Sequence, residues 1–175
     1  MTRIHTARFD SSIGTLTVAS SELGLAYVAL PRANGRGLAG WQQRHAADAK
    51  LAKGYEPNRE AIGQILEFLA GKRQAFDLRL DLRGTPFQVD VYAEVAAIPY
   101  GESCSYADVA QKLGRPNAVR AVGAANGANP IPLVIPCHRV VAKSGQLQGY
   151  AGGLELKAKL LAMESNAQPG QGSLF

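Results

Sequence analysis

Apolar and polar positions alternate with a period of two in the first part of the chain and recur with a helical period in the second. Ser12-Ile13-Gly14-Thr15-Leu16-Thr17-Val18-Ala19 and Leu25-Ala26-Tyr27-Val28-Ala29-Leu30 are alternating or β-rich runs with Gly24 in the turn between them, which predicts a hairpin. Residues 31 to 55, broken by Gly35, Gly37, Gly40 and Gly54, read as a loop with one short helix near Trp41 to Lys53. From Glu60 to Ala70 the apolar residues Ile62, Ile65, Leu66 and Leu69 fall on one helical face, and Gly71 ends the run. Phe76-Asp77-Leu78-Arg79-Leu80-Asp81-Leu82 then alternates strictly, the pattern of a half-buried strand.

The character changes at Arg83-Gly84-Thr85-Pro86. Thr85 suits the cap, and Pro86 the first turn, of a helix carrying Phe87, Val91, Val95 and Ala96 and stopping before Pro99-Tyr100-Gly101. Ser105 opens a second helix with Val109, Ala110 and Leu113 on one face, closed by Gly114-Arg115-Pro116. Asn117 is expected to cap a third, Ala118 to about Gly127, so the pair forms a candidate helix-turn-helix. Ala118, Ala121, Gly123, Ala124 and Ala125 leave this third helix slim, with Arg120 its only long cation. Such a helix can pack closely against another or press into a groove. The expected fold is α+β: a sheet-plus-helix domain over residues 1–83, a mainly helical domain over 84–165, and a flexible tail over 166–175.

Composition narrows the setting. An apolar fraction of 46% with 19% charged residues is that of an ordinary globular chain. The two cysteines, Cys104 and Cys137, do not make a disulfide scaffold, which points to a reducing, cytoplasmic compartment. No membrane span or secretion signal is expected. The formal charge is +5, and between Asp108 and Glu155 stand five basic residues, Lys112, Arg115, Arg120, Arg139 and Lys143, with no acidic one. That window reads either as a solvated face or as a surface for phosphates.

Within it lies Ile135-Pro136-Cys137-His138-Arg139-Val140-Val141. A thiol becomes a thiolate near neutral pH only with cationic or proton-accepting neighbours, and Cys137 has both kinds beside it. A free cysteine can equally be inert core filler. The surrounding blocks bear on the choice: Phe87-Gln88, Ile98-Pro99-Tyr100-Gly101-Glu102, Ser105-Tyr106, Arg120 through Pro130, Ile135 through Val140, and Gly149-Tyr150-Ala151-Gly152-Gly153-Leu154. In this order they resemble the O6-alkylguanine-DNA alkyltransferase family over residues 84 to 164, and more loosely before that.

The resemblance implies single-turnover DNA repair in which an alkyl group leaves the O6 of guanine for the protein's own cysteine, with no cofactor. Cys137 matches the acceptor, His138 the group that takes its proton through a water, and Glu164 the carboxylate that orients the histidine. Adjacent strand residues face opposite ways, so Cys137 and His138 cooperate only if the backbone turns there. The family extrudes the target nucleotide; Arg120 matches the side chain that replaces it in the stack, and Tyr106 the hydroxyl that meets the base. Ala121 and Ala124 match the DNA-facing positions of the recognition helix, and Asn129 its hinge to the active-site loop. Val140, Tyr150, Ala151 and again Asn129 match the pocket, the carbonyls of Cys137 and Val140 accepting the guanine amino group. Tyr92 stands where the family often has tryptophan, and Cys104 reads as structural. Some relatives carry zinc, but His5 and His45 lack cysteine partners, so no metal is expected.

The resemblance implies double-stranded DNA with O6-alkylguanine as partner and a monomer, with cooperativity on DNA, the range of alkyl groups and O4-methylthymine as a further substrate left open. Two rivals stand beside it: an alkyltransferase-like damage binder without transfer activity, and a helix-turn-helix regulator with a redox cysteine. Gln171-Gly172-Ser173-Leu174-Phe175 is similar to the short peptide with which bacterial proteins bind the sliding clamp, and a tail docked on its own domain is the other reading.

Overall fold

The computed structural model describes residues 2–31 and 37–166. It opens with three strands, β1 (Arg3–Ser11), β2 (Gly14–Ser21) and β3 (Gly24–Ala29), followed by helix α1 (Gly37–His45), strand β4 (Lys50–Lys53) and helix α2 (Arg59–Leu69). The sheet order is β3-β2-β1-β4, antiparallel except for the parallel β1/β4 pair. The expected hairpin is β2-β3. Strand β1 was not expected because its apolar residues, Ile4, Ala7 and Phe9, do not alternate. The helix expected near Trp41 to Lys53 lies earlier, and residues 50 to 53 leave it to pair with β1, where Lys50 N–H donates to Thr2 and Gly54 N–H to Thr6.

The side chains of β2 alternate between two cores, as a pleated strand requires. Ala19 faces a small cluster with Ile4, Tyr27 and Trp41 of α1, where the two rings lie 5.5 Å apart. Leu16 and Val18 face the main core with Ile62, Ile65, Phe68 and Leu69 of α2. That core continues without interruption into the helical part of the chain. Buried Asn58 fastens the approach to α2, accepting from Ser20 Oγ at 2.6 Å and donating to the carbonyls of His5 and Gly54.

Residues 76–82 do not form the expected strand. The segment touches β3 by one bridge, Leu25 to Leu80, with Leu25 N–H donating to Arg79 and Asp81 N–H to Leu25. Its alternation has another cause: Phe76, Leu78 and Leu82 pack on the core while Leu80 remains 36% exposed. The close approach depends on Gly24, whose φ is 141° and where a Cβ would stand 2.3 Å from the Arg79 oxygen.

Four helices follow: α3 (Pro86–Ala96), α4 (Tyr106–Lys112), α5 (Val119–Gly127) and α6 (Leu154–Asn166). Thr85 and Gln88 close a reciprocal cap on α3, and Ser105 and Asp108 do the same for α4. Asn117 does not cap α5. The cap position is Ala118, without a side-chain bond, so α5 starts one residue later than its pattern predicted. Two short strands, β5 (Cys104–Ser105) and β6 (Val140–Val141), pair in parallel and tie the start of α4 to the turn that carries Cys137. No helix among the described residues is long and apolar enough to cross a membrane. The Gln171–Phe175 peptide lies outside the described residues.

Candidate active site

Pro136 ends the extended approach, and Cys137–Arg139 form one turn of 3-10 helix, so the strict alternation of a strand is broken there. The turn is buried: Cys137 is 4% exposed and His138 fully enclosed. The loop before it is strained, since Leu133 has φ 73° and is the only non-glycine residue with positive φ among those described. Asn129 holds this loop. Its Nδ2 donates to the Ile135 carbonyl at 2.8 Å and its Oδ1 accepts from Ile131 N–H at 3.0 Å.

His138 Nε2 lies 2.7 Å from Glu164 Oε2. Arg139 grips the same carboxylate from the other side, Nε to Oε1 at 2.8 Å and Nη2 to Oε2 at 2.9 Å, and donates Nη1 to the Ile98 carbonyl at 2.7 Å. Burial alone would raise the Glu164 carboxyl; the bonds from His138 and Arg139 outweigh it and hold the group below its ordinary value, so it is ionised. A carboxylate only accepts, hence Nε2 carries the imidazole proton and Nδ1 keeps its lone pair. His138 Nδ1 has no protein partner, and burial lowers its ring below the ordinary histidine value against the pull of Glu164. His138 is thus a neutral imidazole with its basic nitrogen unengaged.

The thiol itself departs from expectation. Burial pushes Cys137 up to about 11, opposed by Asn129 and by the charge of Lys157, so the protein free of DNA keeps the proton on sulfur. The neighbouring Arg139, counted in the basic window, contributes little to activation or to a DNA surface, because Glu164 neutralises it inside the fold. Lys112, Arg115, Arg120 and Lys143 remain on the exterior.

A cleft of roughly 480 Å³ opens between α4, α5 and the loop before α6, lined by Tyr106, Arg120, Gly123, Gln148, Tyr150 and Ala151 among others, with Cys137 itself outside the lining. Tyr106 starts α4 and lies against α5 at Gly123, where a Cβ would be 3.9 Å from its ring; its hydroxyl donates to the Gln148 carbonyl at 3.3 Å. Burial raises the Tyr106 phenol, as does the Cys137 charge, which keeps it a proton donor. Tyr150 is 7% exposed, meets the His138 ring edge to face with centroids 6.5 Å apart, and leaves its hydroxyl without a protein partner. On α5 the outer face is Arg120, Ala121 and Ala124, with Val122, Ala125 and Asn126 turned inward. Ala121 and Ala124 therefore sit beside the cleft and do not line it. Val140 is fully buried and also stands outside the lining. The Cys137 carbonyl already accepts from Asn126 Nδ2 at 3.2 Å and from the Val140 N–H.

Four residues of this arrangement were not singled out from sequence: Arg139 as the clamp on Glu164, Asn126 on the Cys137 carbonyl, Lys157 buried beside the cleft, and Phe68 of α2. The Phe68 ring packs 6.3 Å from the His138 ring, so the N-terminal part walls the histidine.

Residues 86–166 match the family described as 6-O-methylguanine DNA methyltransferase, DNA binding domain. The chain is 38% identical to a methylated-DNA--protein-cysteine methyltransferase of Mycobacterium tuberculosis over 98% of this chain and 99% of that one, and 39% identical to one from Methanosarcina acetivorans over 93% and 99%. The crystal structure of Mycobacterium tuberculosis OGT in complex with DNA superposes with a TM-score of 0.82 at 38% identity, covering 95% of this chain and 96% of that one. With a buried cysteine, a neutral histidine and an ionised glutamate assembled beside a tyrosine and arginine cleft, on a fold shared from end to end, the chain belongs to the methylated-DNA--protein-cysteine methyltransferase family.

Proposed function

We propose that this protein repairs DNA by moving the alkyl group of O6-alkylguanine onto Cys137 Sγ, irreversibly and once per molecule. The observation that carries this reading is the His138–Glu164 pair, 2.7 Å apart, with Nδ1 left as a free base next to Cys137 in sequence. His138 Nδ1 takes the sulfur's proton through a water. The sulfur lone pair forms the new S–C bond as the C–O6 bond breaks, and the electron pair released onto guanine takes up one proton, so charge and protons balance. Glu164 holds the imidazole and stabilises its protonated form, and Arg139 holds Glu164.

Access comes from the helical part. Arg120 fills the gap in the stack while the extruded base enters the cleft between Tyr106 and Tyr150, and Ala121 and Ala124 let α5 approach the groove closely. The Tyr106 hydroxyl donates to the base, and the Ala151 backbone amide meets its oxygen. Asn129 joins α5 to the strained loop before Cys137. In this reading the protein acts as a cytoplasmic monomer on double-stranded DNA. Gln171–Phe175 serve as a clamp-binding peptide, and removing them abolishes clamp binding while leaving repair of a free oligonucleotide unchanged.

The test is the intact mass after incubation with a duplex containing O6-methylguanine. One added methyl located on Cys137, and none in Cys137→Ala, is the expected result. Tight lesion binding without any adduct would make the protein a damage binder instead.

A further inference from the structure

Lys157 lies in α6, contributes no surface, and is among the largest fully buried side chains. Its Nζ donates to the Gln148 carbonyl at 2.8 Å and sits 5.8 Å from the centre of the Tyr106 ring. Among the described residues no carboxylate pairs with it. An unpaired buried ammonium costs far more to bury than one carbonyl and one ring return, so a charged Lys157 calls for an anion beside it. Glu164 is not that anion, being held already by Arg139 and His138.

Lys157 and Glu164 are seven positions apart, two turns of α6, so they share one side of a helix that packs against the Cys137–Arg139 turn. Glu164 serves His138. We infer that Lys157 is a positioning residue that serves as counter-cation to the Cys137 thiolate, holding the negative sulfur in place for attack while it braces the Gln148 wall of the cleft. The inference rests on Cys137 being the nucleophile.

The groups that face the sulfur support this. Tyr92 from α3, Tyr106 from α4 and Tyr150 from the loop before α6 all feel its charge, and burial keeps each phenol protonated and neutral. Asn129 offers an amide, and His138 is neutral at rest. Lys157 is lowered by burial and raised again by the Cys137 charge, and the sulfur in turn is lowered by Lys157. Once the sulfur's proton has passed to His138, the site holds two matched pairs, imidazolium with Glu164 and thiolate with Lys157.

Lys157→Gln separates charge from bracing, since its amide can still donate to Gln148. The full-length protein is labelled at Cys137 with iodoacetamide from pH 5 to 10, a reaction that reports the thiolate whatever the natural substrate, and single-turnover methyl transfer is followed in parallel. The expected result is a labelling profile displaced to higher pH, with about tenfold slower labelling at pH 7 for each unit of displacement, and an equal slowing of transfer at unchanged DNA affinity. A wild-type labelling profile overturns the proposal, including the case in which transfer falls through weaker binding alone. If Lys157→Gln does not unfold cooperatively, Lys157→Met is read the same way; removal of a buried charge without a counter-ion should leave it at least as stable as the parent. Displaced labelling in a protein whose parent fails to take up methyl would keep the ion pair and reject the alkyl-transfer reading.

Discussion

Glu164 concentrates the electrostatics of the site in one side chain, 1% exposed and bonded to two partners. Breaking such a buried pair strands a charge, and Glu164→Ala should cost about 3–5 kcal/mol in urea unfolding. The pH dependence follows from its sign. The folded carboxyl lies below its ordinary value, so its contribution is complete above the unfolded pKa, about 4.3, and is lost as pH falls through the lower folded one. Stability measured between pH 7 and pH 3 should therefore drop more steeply in the wild type than in Glu164→Gln, which has no proton to gain there. Cys137 and His138 stood out in the sequence because they share one local motif, whereas Glu164, 26 residues from His138, was reached only through the family resemblance. Arg139 was not: surrounded by other basic residues it reads as surface, and its true partner is 25 residues away. Lys157 was hidden for the same reason, since a lysine in a helix is ordinarily solvated.

At the level of elements, the caps of α3 and α4 and the slim outer face of α5 followed from residue type and spacing, whereas the Asn117 cap and three extended segments did not. Strand β1 lacks alternation, β4 is four residues long, and residues 76–82 alternate without a ladder. Period two reports burial on one side, and pairing is decided by what lies across the gap. The α5 surface carries a sharper expectation. If Arg120 holds the place of the extruded base, Arg120→Ala loses part of the few kcal/mol that unstacking requires, so transfer from a duplex should slow by about 10- to 100-fold. Reaction with free O6-methylguanine base should not change, and comparison of the two rates checks this. Equal losses on both substrates would move Arg120 from the stack to the pocket.

For the whole molecule, the sheet and the chemistry share a core. Phe68 of α2 packs against His138, and Val28 N–H in β3 donates to the carbonyl of Pro130, next to Asn129. Phe68→Ala should thus lower stability by about 3–5 kcal/mol and also slow methyl transfer, although the residue stands far from the cysteine in sequence. Single-turnover kinetics under conditions where the variant is fully folded separates the two effects. These long-range contacts have no local signature in the sequence.

The two borders of the sheet are protected differently. Strand β4 presents Lys50 and Lys53 to solvent, while β3 is buried and satisfied by borrowed partners, Arg79 and Asp81 from the connector and Pro130 from the helical part. A lysine-bearing border resists strand addition by itself, but a covered one resists only while its cover stays in place. Loosening of the connector would bare the apolar β3 edge before the sheet unfolds, giving copies of the chain a template for self-association. Gly24→Ala, which forces the Arg79 carbonyl away, should make the protein scatter light on heating at a temperature below its own unfolding midpoint.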